Sequence, residues 1–443
     1  MREAVLHTSW GSWGLYLPKA STLREKFNQI ILVLGMRLAM IGIRFGRGLS
    51  KPKLSCLLLP PASPGSLGDE AMLLGAIEQL KVLGVEEIGV LSYMESESWE
   101  RKVKDPVVKH GYLGNILSSM EALKSFLCAV KTYQYFCCLG ADVMDGHYGE
   151  QDTLQRFNFL RLADRMGVKT RLLNLSFNEH PALSSVRALR GLPKSIRISA
   201  RDPLSLMRLE EKGNRPVAQA ADLAFLLAPG EKSDQVREIL RWIDEKRKQG
   251  FWVIGINANT QHLQVTQDLS LPQYVECFLD ALEKLHREVV NTVFVLIPHD
   301  ERGEMNDETI LKAIFDKSSP EVRAHTLKVS FPLTACEIRD ICAQLDFLLA
   351  SRMHLAIAAL SQAVPAAGIS YQGKFEGLFQ LFGMDSMCLR VSDIITPGVL
   401  PDFLKLRIIE NKDWKDRIER KLGEIRGLAR NNFEGMGKAV LTR

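Results

Sequence analysis

The sequence lacks a CxxC pair, a low-complexity tract and a repeat at any fixed period. Its eight cysteines are scattered through apolar runs, and the one adjacent pair, Cys137–Cys138, does not have zinc-ligand spacing. This excludes a disulfide framework and a structural zinc module, and points to a reducing, cytoplasmic compartment. Charge of one sign is also scarce. Against 52 Asp+Glu stand 57 Lys+Arg, a net charge of +5. So small a surplus leaves no electrostatic footprint for nucleic acid. The opening residues, MREAVLHTSW, hold no apolar core of the kind a secretory signal needs. What is present is the make-up of an ordinary globular protein, 443 residues with 46% hydrophobic and 25% charged. At about 100–200 residues per domain, that length fits two or three domains.

The most apolar stretch, Phe27–Phe45, carries Arg37 and Arg44 within it. Two arginines inside the span argue against a bilayer-crossing helix. Ile30, Ile31, Leu34, Leu38 and Ile41 share one helical face, and Arg24, Lys26, Arg47 and Lys51 flank it. The segment reads either as a helix packed on the next domain or as a basic amphipathic helix on a membrane surface. The second reading brings peripheral membrane contact through residues 24–47, at the inner face of the membrane.

Beyond this extension (residues 1–50) the chain alternates short apolar runs with helical periodicity. Leu54–Leu59 is a continuous apolar run, as in a strand buried on both faces. A Pro/Gly/Ser-rich turn, a helix from Ala71 and a second strand at Ile88–Leu91 follow, making a βαβ unit. Tyr133–Leu139, Arg171–Leu175, Ile196–Ala200 and Ala221–Leu227 read as further strands. Ala228–Asp234 is a Pro-Gly linker, after which the pattern restarts. Phe251–Asn257, Thr292–Pro298, Phe347–Ala350 and Ala366–Ile369 are strands, with helices at Leu271–Val289 and Leu355–Ala363. The expected fold is therefore α/β, with two Rossmann-like domains and a cleft between them, similar to the GT-B glycosyltransferase architecture. Their spans are 51–228, taken as the acceptor side, and 235–395, taken as the donor side. A helical segment, 396–443, closes the chain, with Trp414, Ile418, Leu422 and Ile425 on one face of a charged helix.

Chemistry concentrates at strand ends. Ser351-Arg352-Met353-His354 follows a strand and precedes a helix, where open α/β sheets bind ligands. An arginine there suits phosphate or carboxylate, and a histidine can exchange a proton near neutral pH. Read alone, the pair is equally a surface ion pair beside a satisfied core histidine. The stretch Ser351–Gly383, however, resembles the C-terminal signature of the polysaccharide pyruvyl transferase family: a Ser-x-Arg-x-His-like start, an apolar helix, Val-Pro, Gly-Ile-Ser-Tyr, then Lys. Here the arginine follows the serine directly. Other landmarks of that family appear in order. Gly65-Ser66-Leu67-Gly68-Asp69-Glu70 resembles its Gly-Asn-x-Gly-Asp-Glu loop, with Ser66 in place of Asn. Ser199-Ala200-Arg201-Asp202 with Ser205 resembles its Arg-Asp-x-x-Ser element. Asp222-Leu223 matches a following strand, and Ile297-Pro298-His299 a strand-end Pro-His. The resemblance spans Leu54 to Arg390.

The resemblance implies a transferase that moves a pyruvyl group from phosphoenolpyruvate to a sugar of a cell-envelope or exported polysaccharide, forming a ketal. The acceptor it implies is a sugar or a lipid-linked oligosaccharide. It calls for no metal, and the donor is a substrate rather than a cofactor. It makes His354 the candidate acid/base and Arg352 the candidate anion clamp. Arg201 is a second clamp or the ion-pair partner of Asp202 or of a neighbour. Glycines between a strand and a helix let backbone amides approach a ligand, which makes Gly68 a binding candidate. Asp69 would repel a phosphate, so it reads as an acceptor for sugar hydroxyls or as a helix-start residue. His299 reads as an acceptor contact or a surface-loop histidine. Tyr371 and Lys374, after the strand at Ala366–Ile369, could face the same cleft, with Lys374 as an anion partner or a solvated loop lysine. Asp142 and Asp145 are acceptor contacts or turn formers. Two other readings share the residues: a glycosyltransferase with a nucleotide-sugar donor, and a non-catalytic relative that binds a glycan or a protein.

Overall fold

The computed structural model describes residues 54–113, 119–265, 269–289, 291–303, 306–370 and 373–437. The segment 24–47 and Tyr371 lie outside the described residues. Two parallel sheets organise the rest. The first contains β1 (Ser55–Leu59), β2 (Glu87–Ser92), β3 (Val108–Tyr112), β4 (Tyr135–Ala141), β5 (Lys169–Leu175), β6 (Arg197–Ala200) and β7 (Ala218–Gln219). Their spatial order is β3-β2-β1-β4-β5-β6-β7. The second contains β8 (Trp252–Ile256), β9 (Thr292–Leu296), β10 (Thr326–Lys328), β11 (Phe347–Ala350), β12 (Ala366–Ser370) and β13 (Cys388–Arg390), ordered β10-β9-β8-β11-β12-β13. Both orders reverse direction beside the first strand, between β1 and β4 and between β8 and β11. Such switch points open a crevice at the carboxyl ends of the strands. The α/β fold with two Rossmann-like units is thus present as the sequence suggests.

Central strands explain the long apolar runs. β1, β4, β9, β11 and β12 are buried along their whole length, because helices cover both faces of each sheet. One expected strand does not form. Leu223–Leu226 is a short 3-10 turn, with Asp222 at its cap accepting from the Ala224 amide at 2.9 Å. The apolar run is buried as expected, but against a helix instead of in the sheet. The two-residue β7 takes the sheet edge instead.

Helix α1 (Leu67–Val82) also differs from expectation, starting four residues before Ala71. Ser66 is its N-cap, and its hydroxyl accepts from the Asp69 amide at 3.3 Å. Gly68, Asp69 and Glu70 therefore form a first helical turn, not a loop. Gly75 of α1 lies against the Asp222 turn so closely that a Cβ would stand 2.2 Å from the Leu223 carbonyl oxygen.

The two sheets are tied near the cleft by backbone bonds. Leu67 N–H donates to the His299 carbonyl at 3.2 Å, and Glu301 N–H to the Gly65 carbonyl at 3.0 Å. The buried Glu70 carboxylate accepts from the Ala335 amide at 2.8 Å. The C-terminal helix (Asn411–Asn431) buries Ile418 and Ile425, with Trp414 and Leu422 packed alongside. It delivers Asn432 back to the first sheet. There the Asn432 Oδ1 accepts from the Asn174 amide at 2.9 Å and from the Ser199 hydroxyl at 2.6 Å. Among the described residues no helix is long and apolar enough to cross a membrane.

Candidate active site

Both sheets aim their strand ends at one cleft of about 340 Å³. From the first sheet come Ser66 and Asp69 after β1, Asp142 after β4 and Arg201 after β6. From the second come Gln261 after β8, His299, Asp300 and Arg302 after β9, Arg352 and His354 after β11, and Lys374 after β12. Residues as far apart in sequence as Ser66 and Lys374 thus meet because parallel strands all end on one side.

Asp222 sits at the centre of the charged groups. One of its oxygens, Oδ2, lies 3.3 Å from Nη1 of Arg201 and 3.4 Å from Nε2 of His354. The same oxygen accepts from Nδ2 of Asn174 at 3.3 Å. Burial would raise the Asp222 pKa, but His354 and Arg201 hold it at about 2. It is ionised at neutral pH and stands at ion-pair distance from the His354 ring, whose Nε2 makes no hydrogen bond to a described residue. Asn174 also fixes the turn, accepting from the Leu223 amide at 2.9 Å. Its own backbone is left-handed, with φ of 58°, a conformation asparagine tolerates better than most residues.

Arg201 is 3% exposed, yet its Nε and Nη2 have no protein partner among the described residues. Buried donors left unmatched cost free energy, so an anion arriving here is met by a prepared site. Arg201 does not pair with Asp202 at hydrogen-bond range. The Asp202 carboxylate instead caps the next helix, accepting from the Ser205 amide at 2.7 Å.

His299 is not a surface-loop residue. It is 4% exposed, and neither ring nitrogen has a protein partner among the described residues. Burial, His354 and Arg352 together push its pKa well below the usual histidine range. A neutral ring offers the cleft one donor and one acceptor. Gly68, expected as a ligand contact, lies against His354. A Cβ there would stand 2.4 Å from Nδ1 of the ring.

Arg352 is heavily engaged. Its Nη2 and Nε donate to Oδ1 of Asp307 at 2.7 and 3.1 Å, and its Nη1 to Gln261 at 2.9 Å. Asp300 lies 3.4 Å from the same Nη1. Arg302 also grips Asp300, at 2.6 and 2.9 Å, and reaches Asp69 at 3.8 Å. Arg352 therefore fixes the loop that carries His299 while adding positive charge beside it. Lys374, far from a solvated loop lysine, pairs with Asp142 across the cleft and donates to the Tyr148 hydroxyl at 3.0 Å. Burial works to raise the Asp142 pKa, but Lys374 and Arg201 pull it well below the usual carboxylate range. Asp145 is a turn former, accepting from the His147 amide at 2.9 Å.

Asn174, Gln261, Arg302 and Asp307 carry weight in this arrangement that no local sequence signal announces. Arg302 and Asp307 follow the Pro-His landmark within nine residues, and only that proximity could have drawn attention to them. Among the described residues no group of three or more His, Cys, Asp or Glu is disposed to hold a metal ion.

A model of the polysaccharide pyruvyl transferase family matches residues 67–373 of the chain. No curated protein matches it. Solved structures resemble it in fold at low identity. The UDP-GlcNAc 2-epimerase from Methanocaldococcus jannaschii is 12% identical with a TM-score of 0.54, covering 85% of this chain and 99% of its own. The UDP-GlcNAc 2-epimerase from Neisseria meningitidis, bound to UDP-GlcNAc, is 10% identical with a TM-score of 0.51, covering 85% and 98%. A UGT transferase from Siraitia grosvenorii, in complex with UDP, is 12% identical with a TM-score of 0.50, covering 86% and 96%. These likenesses fix the architecture as GT-B-like.

Proposed function

Because the chain belongs to the polysaccharide pyruvyl transferase family, we propose that it transfers the pyruvyl group of phosphoenolpyruvate to two hydroxyls of a sugar, closing a ketal. The observation that carries this reading is the single carboxylate of Asp222 flanked by Arg201 and His354. The arrangement sets an anion clamp beside a proton donor. Phosphoenolpyruvate needs both, because its phosphate and carboxylate are anionic and its C3 must gain a proton.

In this reading Arg201 grips a donor oxyanion with its two unused N–H groups, which suit a bidentate partner. The neutral His299 ring gives a further hydrogen bond. Arg352 lends charge to the same pocket wall and holds the loop of His299. His354, beside Asp222, delivers its proton to C3. Positive charge then develops at C2, which a sugar hydroxyl attacks. Phosphate departs with the electron pair of its C–O bond, and the second hydroxyl closes the ring. The donor is consumed as a substrate, and the scheme calls for no cofactor. Lys374 and Asp142, paired across the cleft, are assigned to the acceptor side. The acceptor is a sugar of a cell-envelope or exported polysaccharide, presented on a lipid carrier. Work beside a membrane would suit the basic segment 24–47.

The test is phosphate release from phosphoenolpyruvate with candidate lipid-linked sugars, with 13C-labelled donor followed into a ketal methyl signal. Release and ketal formation, both lost in His354→Gln, are expected. Turnover of a nucleotide sugar without any release from phosphoenolpyruvate would replace this reading with the glycosyltransferase one.

A further inference from the structure

Among the carboxylates at or beside the cleft, Asp152 is exposed and most of the buried ones are held in short ion pairs. Asp142 is paired with Lys374, Asp300 with Arg302 and Arg352, and Asp222 with Arg201 and His354. Asp69 is different. It stands in the first turn of α1 with 13% of its side chain exposed, and its nearest ionic partner, Arg302, is 3.8 Å away. No described residue hydrogen-bonds its carboxylate; only its backbone amide is used, by Ser66. A carboxylate with open lone pairs, walled by protein on most sides, faces the same space as His354.

We infer that Asp69 is the general base of the reaction, taking the proton of the sugar hydroxyl that attacks C2. The inference rests on the pyruvyl-transfer reading above. It gives the two ionisable groups opposite tasks. His354, as imidazolium, gives a proton to C3, turning CH2 into CH3. The first hydroxyl oxygen bonds to C2 and its proton passes to Asp69. The C2–O–phosphate bond then breaks, the phosphate leaves with the electron pair, and Asp69 returns the proton to it. The second hydroxyl bonds to C2, and its proton restores the His354 imidazolium. Every proton is accounted for, and both groups end as they began.

The electrostatics fit this division. Burial raises the Asp69 pKa, opposed by Arg302 and His354 and assisted by Asp142 and Asp300. A base poised nearer neutral pH than a free carboxylate is better matched to a hydroxyl. The groups that act on it come from several elements: Arg302 and Asp300 from the loop after β9, His354 from the helix after β11, Asp142 from the end of β4, and the Tyr93 hydroxyl after β2.

Asp69→Asn in the full chain tests the assignment, with Asp69→Glu as the rescue and Asp69→Ser as a second variant should Asn disturb the helix start. A fall in kcat of about 10²–10⁴-fold is expected, with the KM for phosphoenolpyruvate within about threefold. The acid limb of the kcat–pH profile should disappear in Asp69→Asn and return in Asp69→Glu. Inorganic phosphate binding, followed by calorimetry, should not weaken, since a repelling charge is removed. Retention of kcat, or an acid limb that persists in an active Asp69→Asn enzyme, overturns this assignment alone. A wild-type enzyme that releases no phosphate with any acceptor overturns the pyruvyl-transfer reading and the assignment with it.

Discussion

Gly68 and His354 are in contact through an atom that glycine does not have: a Cβ on residue 68 would stand 2.4 Å from Nδ1 and 2.7 Å from Cγ of the imidazole. The clash involves the ring and its Cβ together, so the side chain cannot swing its far end away. Helix propensity alone makes Gly68→Ala stabilising by about 0.5–1 kcal/mol inside a helix. The contact predicts the reverse for function. Gly68→Ala should cut turnover by about 10²-fold, as misplacement of a reacting group by about 1 Å does. The fold should survive, since the first turn keeps its Ser66 cap. Steady-state kinetics beside a thermal melt checks this. Unchanged kcat would mean that the ring position does not matter.

Arg201 supplies the second prediction. Its Nε and Nη2 are buried without protein partners, and hydrogen bonds to charged groups contribute about 1.5–3 kcal/mol each. Arg201→Met should therefore weaken inorganic phosphate and phosphoenolpyruvate by about 10–100-fold, read by calorimetry. Arg352→Met should instead behave as a structural lesion. Its guanidinium is anchored to Asp307, which is fully buried, and loss of one partner leaves that carboxylate uncompensated. Both substitutions strand a buried carboxylate and should lower stability, but only Arg201→Met should also cost ligand affinity on this scale.

The sequence was informative in the middle of each sheet and silent at its margins. Nine of the strands read from apolar runs are present, and all nine are interior strands. The four that left no readable signal, β3, β7, β10 and β13, are the four edges. Edge strands are open to solvent on one side, and all but β3 are only two or three residues long, so their residues alternate or mix instead of forming a run. The false strand at Ala221–Leu227 has the same root, because burial makes any short segment apolar, whether extended or turned. At the site, Arg201, His299, Arg352, His354, Lys374 and Asp69 were legible because each follows a strand end and matches a family landmark. Who pairs with whom was not. Asp222 reaching both Arg201 and His354, or Arg352 reaching Asp307, depends on the packing of one sheet against the other, which local pattern does not encode.

Asp222 gives a prediction that separates pairing from catalysis. Asp222→Asn leaves Arg201 buried beside a neutral amide, and an uncompensated buried charge costs about 3–5 kcal/mol. The double variant Arg201→Met/Asp222→Asn removes both charges and should recover a large part of that loss. Chemical denaturation of the four proteins in the cycle measures the coupling. Activity should not recover in the double variant, since His354 lacks the carboxylate beside it in both.

The last prediction concerns pH and the junction of the two sheets. Glu70 is 2% exposed and accepts from the Ala335 amide of the opposite unit, with Lys102 at 3.9 Å. Burial raises its pKa to about 7, against the pull of that amide and of Lys102. A carboxyl whose folded pKa exceeds its unfolded value holds its proton more tightly when folded. Its contribution to stability is complete below the unfolded value of 4.5 and is lost as pH rises through about 7. The full span corresponds to about 3 kcal/mol at 1.36 kcal/mol per pKa unit. The wild type should therefore lose urea resistance between pH 5 and pH 8, over and above the change shown by Glu70→Gln. The glutamine still offers the Ala335 amide an acceptor but cannot ionise, so its own dependence on pH should lack this component. Parallel curves for the two proteins would show that Glu70 ionises without cost, and that Lys102 compensates it more fully than a 3.9 Å separation suggests.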